Sequence, residues 1–82
     1  MNIYVGNLYF EVNENDLKQI MEEYGSVSSV KIISDRVTGK SKGFGFVEMD
    51  NSNEATNAIK ALNGNVLKGH FIVMKESTPR TY

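Results

Sequence analysis

The sequence predicts an α+β domain in the order βαββαβ, with four strands in one antiparallel sheet and two helices laid on a single face of it. Three observations carry this expectation. Two extended segments near residues 3–8 and 42–49 alternate along the chain, so that successive side chains point to opposite faces. Two other segments repeat apolar residues at helical spacing. Each of those helical segments has one narrow apolar stripe, which must be buried on something flat and leaves the far side of the sheet open.

The first strand is Ile3-Tyr4-Val5-Gly6-Asn7-Leu8, with Ile3 and Val5 on an apolar face and Tyr4 pointing the other way. Asn7 suits a turn after that strand better than a recognition role. A helix start follows at Val12-Asn13-Glu14-Asn15-Asp16-Leu17, where Asn13 is the N-cap, Glu14 and Asp16 are first-turn acids, and Val12 is placed to pack on Leu17 across the cap. Leu17, Ile20, Met21 and Tyr24 continue it as one buried stripe, and Gly25 is expected to end it in a left-handed conformation. The second strand runs from about Val27 to Ser34, with Val30 and Ile32 inward and Lys31 and Ile33 on the opposite face.

Asp35 to Ser41 holds Thr38-Gly39-Lys40 and no apolar alternation, and reads as a mobile basic loop. The third strand is the most informative stretch. In Lys42-Gly43-Phe44-Gly45-Phe46-Val47-Glu48-Met49, Lys42, Phe44, Phe46 and Glu48 share one face, while Gly43, Gly45, Val47 and Met49 share the other. Two phenylalanines thus fall on the solvent face, and the glycines fall where a helix could approach closely. After Asp50 the pattern turns helical again: Asn51 or Ser52 caps, Ala55, Ala58, Ile59 and Leu62 form the stripe, and Gly64 stops it. The last strand is expected around His70 to Glu76, with Ile72 and Met74 inward and Phe71, Val73 and Lys75 on the open face. One domain is expected over residues 1–78, with a short tail at 79–82.

Size and composition narrow the function. With 82 residues and 40% hydrophobic content, the chain makes one domain that buries roughly 60% of its unfolded-chain surface. It has no cysteine and one histidine, His70, which rules out a disulfide framework, a thiolate metal site and a histidine-cluster metal centre. A strand pattern starting at Ile3 leaves no space for a signal sequence, and no apolar run approaches the ~20 residues that cross a bilayer. A cytoplasmic, membrane-free monomer without cofactor is the expectation. The net charge is -1, but it is unevenly spread. Glu11, Glu14, Asp16, Glu22 and Glu23 face only Lys18 between residues 11 and 23, whereas Lys31, Arg36, Lys40 and Lys42 face only Asp35 between residues 31 and 42. The sheet side is therefore expected to be positive and the helix side acidic.

Two neighbouring strands carrying Tyr4, Phe44 and Phe46 would offer a flat aromatic platform beside the Lys42 ammonium, and such a platform suits unstacked bases. The hexamer Ile3 to Leu8 and the octamer Lys42 to Met49 resemble the two ribonucleoprotein motifs of the RNA recognition motif (RRM) family, and the likeness covers nearly the whole chain. The resemblance implies the ferredoxin-like βαββαβ sandwich, with the first and third strands as the central pair, and single-stranded RNA as partner. It implies stacking or sugar contacts for the three rings and a backbone-contacting role for Lys42. The chain further resembles the small single-RRM proteins of bacteria, which are thought to act as general RNA binders, chaperones or post-transcriptional regulators. Met49 stands where the octamer usually ends in an aromatic, and its parity makes that a core packing change. His70 stands where relatives often carry arginine, and a structural or solvated role is expected for it.

Each functional reading has a plainer competitor. A register slipped by one would make the three rings ordinary core residues, but it would turn Ile3, Val5, Val47 and Met49 outward, a heavier exposure than it cures. Lysine is usually a soluble surface residue, so Lys31, Arg36, Lys40, Lys75 and Arg80 are weaker phosphate-binding candidates than Lys42. Glu48 either accepts from a base amino group or marks the limit of the platform. Single-stranded DNA would also fit, since stacking does not need the 2′-hydroxyl. A protein partner docking on the acidic helix face is the alternative from another class.

Catalytic readings fail on residues. Gly39-Lys40-Ser41 resembles the end of a phosphate-binding loop, but the opening glycine would fall on Ser34. Gly43 and Gly45 lack the third glycine of a dinucleotide fingerprint, which falls on Glu48, and no helix follows. Acylphosphatases share the element order but need an arginine after the first strand, and Gly6 to Asn15 has none. Metal carriers of this fold need a Cys-x-x-Cys pair that the chain lacks. No enzymatic activity is expected.

Overall fold

The computed structural model describes residues 1–77 and, at Ser41, the backbone alone; Arg80, with the rest of the expected 79–82 tail and Thr78, lies outside the described residues. In chain order the elements are β1 (Asn2–Gly6), α1 (Glu14–Glu22), β2 (Ser29–Ser34), β3 (Ser41–Glu48), α2 (Ser52–Leu62), β4 (Val66–Leu67), β5 (His70–Phe71) and β6 (Val73–Ser77). β2, β3, β1 and β6 form one antiparallel sheet in that spatial order, with β1 and β3 at its centre. The ferredoxin-like α+β arrangement holds, with one departure. The expected single last strand is divided: β4 and β5 pair as a small hairpin, Leu67 opposite His70 and Val66 opposite Phe71, and only β6 joins the main sheet.

Alternation decides the layers. Ile3 and Val5 of β1, Val47 of β3 with Met49 just beyond it, and Met74 of β6 are buried with Leu17 and Met21 of α1 and Ala55, Ala58 and Leu62 of α2. A register slip is thereby excluded, because the residues it would expose are fully buried. Met49 fills the core volume left by the missing aromatic.

The helix ends follow their cap residues. Asn13 Oδ1 accepts from the Asp16 amide at 2.8 Å and the Asp16 carboxylate accepts from the Asn13 amide at 3.0 Å, a reciprocal capping box, while Val12 is buried beneath it. Asn51 caps α2 by accepting from the Glu54 amide. Gly25 differs from expectation: at φ 159 its backbone is nearly extended, and α1 ends at Glu23 without a left-handed residue. Glycine is needed there for space, since a Cβ would run into the Glu54 side chain of α2.

Asp16 also meets Lys68 Nζ at 3.1 Å, linking α1 to the β4–β5 turn. The Asn13 amide first, and Lys68 second, hold the Asp16 carboxyl below its usual value of 3.8. A carboxyl whose pKa is lower folded than unfolded adds stability above its unfolded pKa and loses it as pH falls through the folded one. Thermal unfolding is therefore expected to show a stability loss as pH falls below about 4, and Asp16→Asn should remove part of that acid dependence. An unchanged acid limb in Asp16→Asn would contradict the role assigned to this carboxylate.

Candidate nucleic-acid interface

The face opposite the helices is built by register. Tyr4 pairs with Phe46 on one side and Lys75 on the other, and Lys31 pairs with Phe46, so that Lys31, Phe46, Tyr4 and Lys75 form one row across the sheet. Parity puts all four on one face. Phe44, two residues before Phe46, completes a triangle of rings: 6.1 Å between Tyr4 and Phe44, 6.0 Å between Tyr4 and Phe46, and 6.3 Å between the two phenylalanines. All three are half-buried, stacked or edge-on to one another but open on the outer side. They line a shallow depression of about 580 Å³ with Ile33, Lys75, Glu76 and Ser77.

Two glycines shape that surface. A Cβ on Gly6 would meet the Tyr4 ring at 2.6 to 2.9 Å, so Gly6 lets Tyr4 lie along its own strand toward Phe44. A Cβ on Gly45 would collide with the Lys31 carbonyl oxygen and stand 3.0 Å from the Ile32 Cα. The glycine is there so that β2 can approach β3, and the expectation that it makes space for a helix is corrected.

The ladder is irregular around Lys42. Ile32 pairs with Gly45 and Ser34 with Ser41, so one residue of β2 spans three of β3, and Gly43 takes φ 85 within that bulge. Lys42 is exposed, and its charge helps to lower the Asp35 pKa; Lys75 lies over the Tyr4 ring, with Nζ 5.3 Å from its centroid. Lys31 is exposed at the other end of the row.

The segment expected to be a mobile loop is a closed turn. The Asp35 amide donates to the Lys40 carbonyl at 2.7 Å and the Gly39 amide to the Asp35 carbonyl at 2.8 Å. Asp35 Oδ1 accepts from the amides of Val37 and Thr38 at 2.8 and 3.1 Å. The Thr38 amide first, then that of Val37, hold the Asp35 carboxyl below 3.8, with Lys42 adding to the effect. Arg36 and Lys40 are exposed on this turn, at the β2–β3 end of the sheet.

A second row, of polar residues, was not singled out from sequence except for Glu48. Asn2 pairs with Glu48 and with Ser77, and Ser29 pairs with Glu48, which lines up Ser29, Glu48, Asn2 and Ser77 beside the aromatic row. The available signal was parity, since Asn2 lies two residues from Tyr4 as Glu48 lies two from Phe46. Glu48 is exposed and only accepts, so it suits a base with amino or imino hydrogens. Asn7 takes φ 56 and its Nδ2 donates to the Phe71 carbonyl at 2.5 Å, as befits a turn-former. His70 stacks on Tyr9 with centroids 5.1 Å apart, a structural contact. On the helix side, Glu14 Oε2 accepts from the Ile32 amide at 3.3 Å and Asp16 is paired with Lys68, which leaves Glu11, Glu22 and Glu23 exposed there.

A four-stranded sheet whose two central strands present three rings on the face away from the helices defines one class of protein. The chain belongs to the RNA recognition motif family, whose model matches residues 3–73. Among its relatives is RbpE of Nostoc sp., provisionally named as an RNA-binding protein, 45% identical over 80 residues that cover 98% of this chain and 81% of that one. A crystal structure of the RNA-binding protein PG1 superposes with a TM-score of 0.95 at 46% identity, covering 100% of this chain and 99% of that chain. The structure of the Rna15 RRM with bound RNA (GU) has a TM-score of 0.85 at 27% identity, covering 95% of this chain and 83% of that one.

Proposed function

We propose that the protein binds a single strand of RNA, about two to four nucleotides at a time, on the open sheet face. The observation that carries this reading is the triangle of Tyr4, Phe44 and Phe46, held about 6 Å apart by sheet register and open on its outer side. Rings at that spacing offer successive bases their faces, and the Rna15 structure holds RNA in the same fold. Stacking supplies affinity and tolerates any base. Lys31 and Lys75 flank the rings, and Lys42, Arg36 and Lys40 at the β2–β3 end take phosphates. Glu48 and Asn2 meet base edges. Single-stranded DNA fits the same rings, since stacking does not need the 2′-hydroxyl.

No covalent chemistry is part of this reading, and the protein acts as a monomer. Weak, sequence-tolerant stacking fits an RNA chaperone or a post-transcriptional regulator that holds strands unpaired. With two or three bases stacked and the ordering of the strand set against them, affinity for short oligonucleotides should be micromolar. Fluorescence anisotropy with a labelled eight-nucleotide RNA of randomised sequence tests this. Kd should rise with salt with a logarithmic slope of about -1.4 to -2 in affinity, the value for two or three phosphates on a single strand. A slope near zero would remove the lysines and Arg36 from the site, and no binding at hundreds of micromolar would remove the reading itself.

A further inference from the structure

The aromatic face does not stop at its outermost ring. Val73 of β6 pairs with Gly6, the residue over which the Tyr4 ring lies, so its side chain adjoins the platform edge. Ile72 is buried, and parity turns Phe71 outward with Val73. Phe71 faces Val66 across the β4–β5 hairpin. Phe71 is 66% exposed, Val66 58% and Val73 44%, a strip of apolar surface left uncovered among the described residues. Surface of this kind marks a contact when it is continuous. Here the register leads from the Tyr4 ring over Gly6 to Val73 and so to the strip.

The strip is also held in place. The Phe71 carbonyl accepts from Asn7 Nδ2, the Ile72 amide donates to the Asn65 carbonyl, the Ile72 carbonyl accepts from the Gly64 amide, and the Met74 amide donates to Asn63 Oδ1. His70 on the hairpin's other face stacks on Tyr9, and Lys68 meets Asp16. An exposed ring on a backbone anchored at so many points has little freedom left to lose on binding.

We propose that Phe71, with Val66 and Val73 beside it, is a further stacking position for the same RNA strand, one step beyond the three-ring platform. The proposal rests on the RNA-binding reading given above. Along the chain Phe71, Val73 and Lys75 follow one another outward-facing, Val73 opposite Gly6 and Lys75 opposite Tyr4, so a strand leaving the rings over Val73 reaches Phe71 with Lys75 at the platform end to take a phosphate. The continuity with the rings and that lysine favour a nucleic-acid strand over a protein surface.

The test compares the full chain with a Phe71→Ser/Val66→Thr variant of unchanged melting temperature, on labelled RNAs of four and eight nucleotides. Both proteins should bind the shorter RNA equally, while the variant binds the longer one about fivefold or more weakly, the loss of one stacked base. Equal binding of the longer RNA overturns the proposal and leaves the platform reading standing. Equal weakening on both lengths also overturns it, because Phe71 would then act only by shaping the platform. A parent that dimerises by light scattering where the variant does not, with RNA binding unchanged, assigns the strip to a second copy and overturns it too. Failure of the parent on both RNAs overturns the platform reading together with this one.

Discussion

Replacing Phe44 and Phe46 together with alanine is expected to raise the Kd for short single-stranded RNA about thirtyfold or more, while the protein stays folded. The magnitude follows from stacking, worth about 1–3 kcal/mol per base, lost twice. The fold should survive because both rings lie on the open face and take no part in the buried cluster. Circular dichroism of the variant checks the fold, and anisotropy checks the binding. Tyr4 is a less clean target, since its ring lies over Gly6 and under Lys75 and its removal would disturb both. Retained affinity in a folded double variant would mean that the RNA lies elsewhere.

A change of one methyl group should have the largest effect on stability. Gly45→Ala puts a Cβ against the Lys31 carbonyl and at 3.0 Å from the Ile32 Cα, both backbone atoms of the neighbouring strand. Backbone cannot rotate away as a side-chain tip can, so β2 must shift or unpair. Overpacking of this kind costs about 1–3 kcal/mol, and here the upper part of that range is expected. Urea unfolding should show a lower midpoint with little change of slope. Because Lys31 pairs with Phe46, RNA affinity should fall as well. A midpoint equal to the parent's would show that β2 can yield at no cost, and the close approach would lose its meaning.

Much of this architecture is legible in the chain itself. Period-two alternation set Tyr4, Phe44 and Phe46 on the face away from Ile3, Val5, Val47 and Met49, because parity is a local property. The Asn13 cap and the two helical stripes were local as well. Adjacency was not: nothing in the alternation says that β1 lies between β3 and β6, and the resemblance to the family supplied that order. Lys75 over Tyr4 depended on the same non-local register. The bulge at Gly43 escaped because counting along the chain assumes an unbroken strand, whereas one residue of β2 here stands against three of β3. The Asp35 turn looked formless for the opposite reason: its order comes from a carboxylate gathering two amides, which leaves no apolar pattern to see. The β4–β5 hairpin, with strands of two residues each, is too short for any periodicity to show.

The most direct test of the sheet-face assignment is a nuclear magnetic resonance titration of the isotope-labelled protein with a short single-stranded RNA. Shifts should concentrate at Tyr4, Lys31, Phe44, Phe46, Glu48 and Lys75, with the amides of α1 and α2 nearly still. Shifts gathered instead on the exposed acids Glu11, Glu22 and Glu23, with the rings unmoved, would contradict it.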